Sequence, residues 1–197
     1  MERAQVTELH YLTAIENVSS ILANGILSHN RAAAIAHKDL SMAIIQEKRD
    51  KKRVPGGLPL HDYVNLYFNG RNKMMAKKRP EHSEMCVLRV SSEVLDLKEA
   101  VIADQNAASF HVAFFRSPSG LIKLDYDEVF IRSWKCQGDQ IREWRLGSKV
   151  CAELLIPHWL DAKYVLGAYV LDEAALSRFT QLGTTLSCAV NRDLFLR

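Results

Sequence analysis

Glu153 is the residue whose surroundings most suggest chemistry, because it is the only acid in the apolar run at residues 149–157. A carboxylate at the wall of a cleft can orient a ribose hydroxyl or stabilise a developing positive charge. The alternative is structural, since every second residue of a half-buried strand faces water and a single glutamate often marks only that solvated face. The sequence by itself favours the structural alternative.

Three further polar residues could belong to the same kind of site. His10 and Thr13 lie on a predicted strand ahead of a helix and a glycine stop, where they could hold an amide and a ribose. Arg49 lies in the charged run 48–53, and a guanidinium turned inward there would bind a phosphate in bidentate fashion. The structural interpretations are a half-buried histidine for His10, which the sequence by itself favours, and a solvated helix face for Arg49, which fits most residues of that charged run.

A run of positive charge follows an aromatic strand. Residues 63–68 are rich in aromatic and β-branched side chains, which favour a strand, and Asn69-Gly70 then turns the chain. Concentrated positive charge beside aromatic side chains suits the backbone and stacked bases of a nucleic acid, whereas the alternative is a contribution to solubility. The candidate nucleic-acid contacts in this run, which contains no acid, are Arg71, Lys73, Lys77, Lys78 and Arg79.

The elements that position these residues indicate an α+β fold, because short strands recur along the chain and the helices are grouped toward its beginning. The predicted strands cover residues 8–13, 63–68, 84–90, 100–103, 149–157, 164–171 and 185–190. The predicted helices cover residues 14–22, 31–53 and 172–182, with a short one inside 124–134. Residues 137–148 are polar and contain Gly138 and Gly147, which predicts a loop that could move.

Composition places the chain among ordinary globular proteins. Of its 197 residues 48% are hydrophobic and 25% are charged, and no linker or repeat interrupts them, so we expect a single domain over residues 1–197. The four cysteines are widely separated, which predicts reduced thiols and no metal site. With no secretory signal and no apolar run of the ~20 residues that span a bilayer, we expect a cytoplasmic protein without membrane contact.

Two segments of the chain are specific when taken together, the run LHDYVNLYF at 60–68 and the later strand KVCAELLIP at 149–157. Further segments accompany them, namely LHYLTAIENVSSILANGIL at 9–27, SHN at 28–30, IIQEKRDKKRVPGG at 44–57, NGRNKM at 69–74, MCVLRVSS at 85–92 and LDYDEVFIRSW at 124–134. In this order, along nearly the whole chain, these segments resemble the DarT family of DNA-targeting ADP-ribosyltransferase toxins.

The resemblance implies the ADP-ribosyltransferase fold, in which a split pair of small β-sheets clasps NAD as the substrate. It implies that Glu153 is the catalytic glutamate, and that Arg49 anchors a phosphate or orients this carboxylate. It also implies that Tyr67 stacks on the nicotinamide ring. The residues that it places around NAD are His10, Thr13, Asn30, Arg49 and Tyr67.

On the substrate side, the resemblance implies transfer to a base of single-stranded DNA, without a metal. The strand would be held by the basic run 71–79 and by Lys149, and residues 133–148 would be the substrate-facing loop. The family pairs its toxin with a macrodomain antitoxin that reverses the modification, so such a partner is expected here.

The sequence departs from the family pattern on this side. Asn65-Leu66 stands where relatives carry Pro-Phe, Lys73 where they carry proline, and Ala113 where they carry arginine. These differences leave the target base and the recognised motif open. Two alternatives therefore stand beside the DNA enzyme, an RNA-targeting ADP-ribosyltransferase with the same NAD site and a non-catalytic nucleic-acid-binding module.

Overall fold

The computed structural model of the chain describes residues 1–196 and has the mixed α+β architecture that the sequence predicts. The ten strands are β1 Glu8–Ala14, β2 Ile26–Leu27, β3 Tyr63–Tyr67, β4 Met85–Ser91, β5 Val101–Ala103, β6 Phe114–Arg116, β7 Glu153–Pro157, β8 Trp159–Leu160, β9 Val165–Val170 and β10 Cys188–Val190 in the described chain. The α-helices of the same residues are α1 Val18–Asn24, α2 His29–Ala32, α3 Ala43–Asp50, α4 Lys73–Lys77, α5 Tyr126–Val129, α6 Gln140–Lys149 and α7 Glu173–Thr180.

Eight of the strands form one sheet that is nearly divided in the middle. Its order is β10-β9-β4-β1-β3-β7-β5-β6, and β2 pairs separately with β8. Seven residue pairs join β1 to β4, whereas within the described residues β1 and β3 are paired only at His10 and Tyr67. The sheet therefore consists of two four-stranded halves that separate beyond this pair, and the split pair of sheets implied by the resemblance is confirmed.

The main hydrophobic core lies on one face of this sheet. Leu66, Leu154 and Ile102 are fully buried there, in register on β3, β7 and β5. Because side chains alternate along a strand, their neighbours Tyr67 and Glu153 point to the opposite face. A glutamate that begins a strand of buried aliphatic residues is thereby directed away from the main core, toward the side where the sheet opens.

Two predictions of local structure are wrong. The helix predicted over residues 31–53 is interrupted: α2 ends at Ala32, and α3 begins only at Ala43. The loop predicted over residues 137–148 is largely α6, which begins after Asp139, where the side chain of Asp139 accepts a hydrogen bond from the backbone N–H of Arg142. This capping bond stabilises a helix whose exposed, polar composition conceals the usual apolar period.

The helix predicted over residues 172–182 is confirmed as α7. The side chain of Asp172 accepts the backbone N–H of Ala175 and caps α7. The four cysteines are free thiols, and no group of three or more potential ligands there could hold a metal ion. None of the helices in the described part of the chain has the length and apolarity that crossing a membrane requires.

Candidate active site

The candidate site is organised around a row of residues that crosses the middle of the sheet. His10 on β1 is opposite Tyr67 on β3, Tyr67 is opposite Glu153 on β7, and Glu153 is opposite Ala103 on β5. Residues opposite one another in adjacent strands place their side chains on the same face. The register thus brings His10, Tyr67 and Glu153 to one face although they are far apart in sequence.

Glu153 is not on a solvated strand face, since its exposed fraction is 0%. Its Oε2 accepts a hydrogen bond of 3.0 Å from Nη1 of Arg49, and its Oε1 accepts one of 2.9 Å from the backbone N–H of Ala107. A buried carboxylate is tolerated when it is paired and hydrogen-bonded in this way. Each oxygen also has acceptor capacity left for a ligand.

Arg49 is brought to this carboxylate by α3. It is the buried residue of that helix, with an exposed fraction of 7%, whereas Lys48 and Asp50 on either side of it are exposed. The guanidinium of Arg49 therefore turns inward, which is one of the two alternatives that the sequence offered. The other alternative, a solvated helix face, describes Lys48 and Asp50. A second donor group of Arg49 can still bind a phosphate, because the guanidinium carries five N–H groups.

A first cavity of about 150 Å³ opens beside this ion pair, where the two halves of the sheet diverge. We call it the first cavity, and its walls come from β1, β3 and residues 27–49. Of the residues predicted to surround NAD, Thr13, Arg49 and Tyr67 line it. Glu153 lies behind Arg49 and does not itself line the cavity, so a bound ligand meets the guanidinium before the carboxylate.

Two of the predicted NAD contacts do not line this cavity. His10 is 8% exposed, and its Nε2 is 3.2 Å from Oε1 of Glu8. Its buried Nδ1 has no hydrogen-bond partner among residues 1–196. Asn30 is exposed on α2, where its amide nitrogen donates a 2.8 Å hydrogen bond to Asp62. The structure thus places His10 and Asn30 next to the cavity but outside its walls.

A second cavity, of about 790 Å³, continues from the first. Its walls come from α4, α6 and residues 104–111, and we call it the second cavity. Lys73, Lys77 and Lys149, three of the predicted nucleic-acid contacts, line it. The residues that line both cavities, and so join them into one cleft, are Met42, Ile45, Tyr67, Met74 and Asn106.

The other residues of the basic run do not line the second cavity, so residues 71–79 are divided between two surfaces. Lys78 is paired with Glu81 at 2.9 Å and lines neither cavity. Arg71 donates to the backbone carbonyls of Asp193 and Arg132, and with Arg79 it lines a separate groove. The short helix α4 explains the division, because Lys73 and Lys77 are four residues apart and share one face.

The protonation of the residues between the cavities limits the chemistry available. Burial raises the pKa of Tyr67 well above its ordinary value, and the negative charge of Glu153 raises it further, so the phenol keeps its proton and can donate a hydrogen bond. Burial raises the pKa of the Cys151 thiol to about 12, which excludes it as a thiolate nucleophile at neutral pH. The carboxylate of Glu153 lies beside the cleft, paired with Arg49, and can accept a proton from a bound substrate.

Several residues that line the cleft were not predicted from the sequence. His29 and Gln46 line the first cavity, and the side chain of Gln46 is 2.8 Å from Nε2 of His61. The His61 ring packs against that of His29, with the ring centroids 4.4 Å apart and the planes tilted by 36°. Trp144 and Ile141 of α6 line the second cavity. Recognising Asp139 as a helix cap would have placed Ile141 and Trp144 on one helical face, whereas no local signal marks His29 or Gln46.

Comparisons with known proteins place this arrangement in a family. The DNA ADP-ribosyl transferase–DNA ADP-ribosyl glycohydrolase fusion protein of Thermosipho africanus is 28% identical over 176 residues. The match covers 86% of this chain but 44% of that relative, so the chain spans less than half of the fusion protein.

Solved structures confirm the fold. The DarT of Thermus sp. 2.9 in complex with ADP-ribosylated ssDNA superposes with a TM-score of 0.81 at 23% identity and covers 96% of both chains. The same protein in complex with NAD+ gives a TM-score of 0.75 at 20% identity, over 96% of this chain and 98% of the other. A family model described as "ssDNA thymidine ADP-ribosyltransferase, DarT" matches residues 10–194. Because that match covers almost the entire chain, the protein belongs to the DarT family.

Proposed function

We propose that this protein transfers ADP-ribose from NAD to a thymidine base of single-stranded DNA and releases nicotinamide. The observation that carries the proposal is the buried pair of Glu153 and Arg49 beside a cleft made of two cavities, one lined by Thr13 and Arg49 and the other by four lysines. Membership of the DarT family and the Thermus complexes with NAD+ and with ADP-ribosylated ssDNA support the same reaction.

The reaction needs positive charge to be stabilised at a ribose carbon. The bond between that carbon and the nicotinamide nitrogen breaks, its electron pair leaves with nicotinamide, and the ribose becomes oxocarbenium-like. A ring nitrogen of thymine then forms the new bond and gives up its proton. Glu153 stabilises the developing charge, holds the 2′-hydroxyl and accepts the proton.

The neighbouring residues position NAD for this step. Arg49 faces the first cavity and binds a phosphate of the dinucleotide, while its bond to Glu153 fixes the carboxylate. Thr13 holds the dinucleotide from β1, although its hydroxyl already accepts a hydrogen bond of 3.2 Å from Asn17. Tyr67 stacks on the nicotinamide ring. Because Tyr67 lines both cavities, NAD in the first cavity and the DNA base in the second contact the same side chain. His10 and Asn30 are next in the chain to Tyr11 and His29, which line the first cavity, and complete the edge of the NAD site.

The DNA occupies the second cavity, where Lys73, Lys77 and Lys149 contribute positive charge for its phosphates. Modified DNA is toxic to a cell unless the modification is removed, and the Thermosipho relative carries a DNA ADP-ribosyl glycohydrolase in the same chain. We therefore propose that this protein is a cytoplasmic toxin, and that a macrodomain glycohydrolase acts as its antitoxin.

Mass spectrometry of oligonucleotides incubated with NAD tests the reaction. We expect a single-stranded DNA that contains all four bases to gain one ADP-ribose, and fragmentation to place it on thymidine. An RNA strand of equivalent sequence and a DNA without thymidine, run in parallel, should remain unmodified. Modification of the RNA alone would establish the RNA-targeting alternative, and no release of nicotinamide with any strand would leave only a nucleic-acid-binding module.

The division of the basic run makes a second prediction. We expect Lys77→Gln to weaken binding of single-stranded DNA and to reduce the slope of log affinity against log salt by about 0.7, the value for one lost phosphate contact. Lys78→Gln is the matched control, because Lys78 is paired with Glu81 and lies outside the cavity. Titrations with a labelled oligonucleotide at several salt concentrations measure both, and equal effects of the two substitutions would contradict the assignment.

A further inference from the structure

The cavity-facing side of α6 carries two large apolar residues that the fold does not bury. Ile141 has an exposed fraction of 78% and Trp144 one of 63%, and both line the second cavity. The opposite side of the helix accounts for its stability, because Leu146 and the following Val150 are buried against Trp134 and Tyr67. Ile141 and Trp144 are three residues apart and therefore neighbours on one face. Their exposure has no structural explanation.

The charge around this apolar face is strongly positive. Five cationic side chains but a single acid, Asp104, line the second cavity within the described residues. Lys149 is paired with Asp104, and Arg145 is paired with Glu128 outside the cavity. The three that form no ion pair with any of residues 1–196 are Lys48, Lys73 and Lys77.

Gly147 of α6 has no side chain, and this allows Lys73, one of these cations, to lie close to the helix. A Cβ on Gly147 would lie 2.6 Å from Nζ of Lys73, so the lysine side chain lies across α6 where glycine leaves room for it. Glycine inside a helix costs about 1 kcal/mol relative to alanine, and this close approach gives it a reason. An ammonium group is thus held beside the same helix that exposes Trp144.

We propose that Trp144 stacks on a base of the single strand next to the nucleotide that reacts, with Ile141 against the same nucleotide and with Lys73 and Lys77 on the adjacent phosphates. Aromatic side chains within a positively charged groove are the usual means of holding a single strand, because every base has a face to stack. The identity of the strand as substrate rests on the proposed function, whereas the stacking itself does not.

The length of α6 separates this position from the reacting base. Tyr67 and Cys151 form the inner end of the second cavity, near Glu153. Trp144 precedes Lys149, the last residue of α6, by five residues, which at 1.5 Å per helical residue amounts to about 7.5 Å, and Cys151 lies two residues further along the chain. A base stacked on Trp144 is therefore a neighbour of the base that meets NAD. The residue would position the strand and would contribute to the choice of sequence around the target.

A nucleic acid fits this surface better than an acidic protein does. A stable protein interface buries about 800 Å² on each partner and has an apolar centre of several residues. Here two apolar side chains lie inside a concave, basic cavity, which matches a base with its phosphates. An acidic protein partner remains the other occupant that the experiment must distinguish.

Equilibrium binding of a fluorescent single-stranded oligonucleotide, without NAD, tests the proposal. We expect Trp144→Ala to weaken binding by about 5- to 150-fold, the range for one lost stacked base, and Trp144→Phe to retain most of the affinity. The matched control is Ile122→Ala, because Ile122 is equally exposed at 78% but lies on the 3₁₀ helix Ser119–Lys123, outside the cavity. It should bind as the wild type does.

A scan with one abasic nucleotide at each position separates stacking from a structural effect. In the wild type, one position beside the reacting thymidine should weaken binding, and Trp144→Ala should lose this position-specific sensitivity. Wild-type affinity in Trp144→Ala, or an unchanged scan, would overturn the proposal, as would tight binding of an acidic polypeptide that oligonucleotides do not displace.

The two proposals fail separately, because binding requires no transfer. Trp144-dependent binding without an ADP-ribosylated product would overturn the enzymatic function and keep the stacking position. An ADP-ribosylated product together with Trp144-independent binding would do the opposite.

Discussion

Replacing Glu153 with glutamine is expected to abolish ADP-ribose transfer while leaving the protein folded. Glutamine has nearly the same shape, and its single amide oxygen can still accept one of the two hydrogen bonds that Glu153 receives, from Arg49 or from the N–H of Ala107. The negative charge is lost, and with it the stabilisation of the oxocarbenium-like ribose and the acceptor for the proton. We expect the rate to fall at least about 10³-fold.

Glutamine is preferable to alanine because it keeps an acceptor oxygen and fills the buried space. Both substitutions remove the negative charge that pairs with Arg49, and breaking a buried pair from one side costs about 3–5 kcal/mol, but alanine adds a cavity and leaves both donors without an acceptor. An inactive Glu153→Ala protein could therefore be simply unfolded. Product formation is measured by mass spectrometry and stability by thermal unfolding, with Glu47→Gln on the exposed side of α3 as the control. Transfer by Glu153→Gln at the wild-type rate would rule out the catalytic assignment.

The strands that carry the site could be predicted from sequence because their patterns are local. The strand predictions at 8–13, 63–68 and 84–90 match β1, β3 and β4 to within one residue at each end. Short runs of residues that favour strands are sufficient for this prediction, and the turn at Asn69-Gly70 marks the end of the run at 63–68. The register between these strands is not local, and it is the register that aligns Tyr67 with Glu153.

The family resemblance predicts that Arg49 acts with Glu153, whereas the spacing and types of the residues alone do not. Arg49 is 104 positions away and lies in a run of charged residues with no feature of its own. A helix continued over residues 31–53 would have placed it wrongly, since the chain leaves the helix between Ala32 and Ala43. Arg49 is required because burying the Glu153 carboxylate costs free energy, and a cation from any part of the chain that reaches it can offset this cost.

The basic run shows the same limit on a smaller scale. Composition correctly predicts a positive surface but does not reveal which cations face the cleft. Once α4 is known to begin at Lys73, the helical period separates Lys73 and Lys77 from Lys78. Likewise, the cap at Asp139 converts an expected mobile loop into a rigid helix that holds Trp144. In both cases a short helix with few buried residues determines which side chains face the cleft, and such a helix leaves little apolar pattern in the sequence.

Removing both members of the buried pair is expected to restore stability without restoring activity. Arg49→Met alone leaves the Glu153 carboxylate buried and uncompensated, so the free energy of unfolding should fall by about 3–5 kcal/mol and transfer should stop. In Arg49→Met combined with Glu153→Leu, neither charge is present and the space is filled by apolar atoms. Such replacements of whole pairs are often neutral or stabilising.

The recovery in this double variant should be incomplete for a definite reason. The backbone N–H of Ala107 loses its acceptor when Glu153 becomes leucine, and an unsatisfied buried donor costs about 1–3 kcal/mol. Chemical denaturation of the wild type, both single variants and the double variant measures the coupling. A double variant less stable than Arg49→Met would mean that the pair stabilises the fold by its own attraction. If it is more stable yet inactive, the two charges are retained for the reaction with NAD, since the fold does not need them.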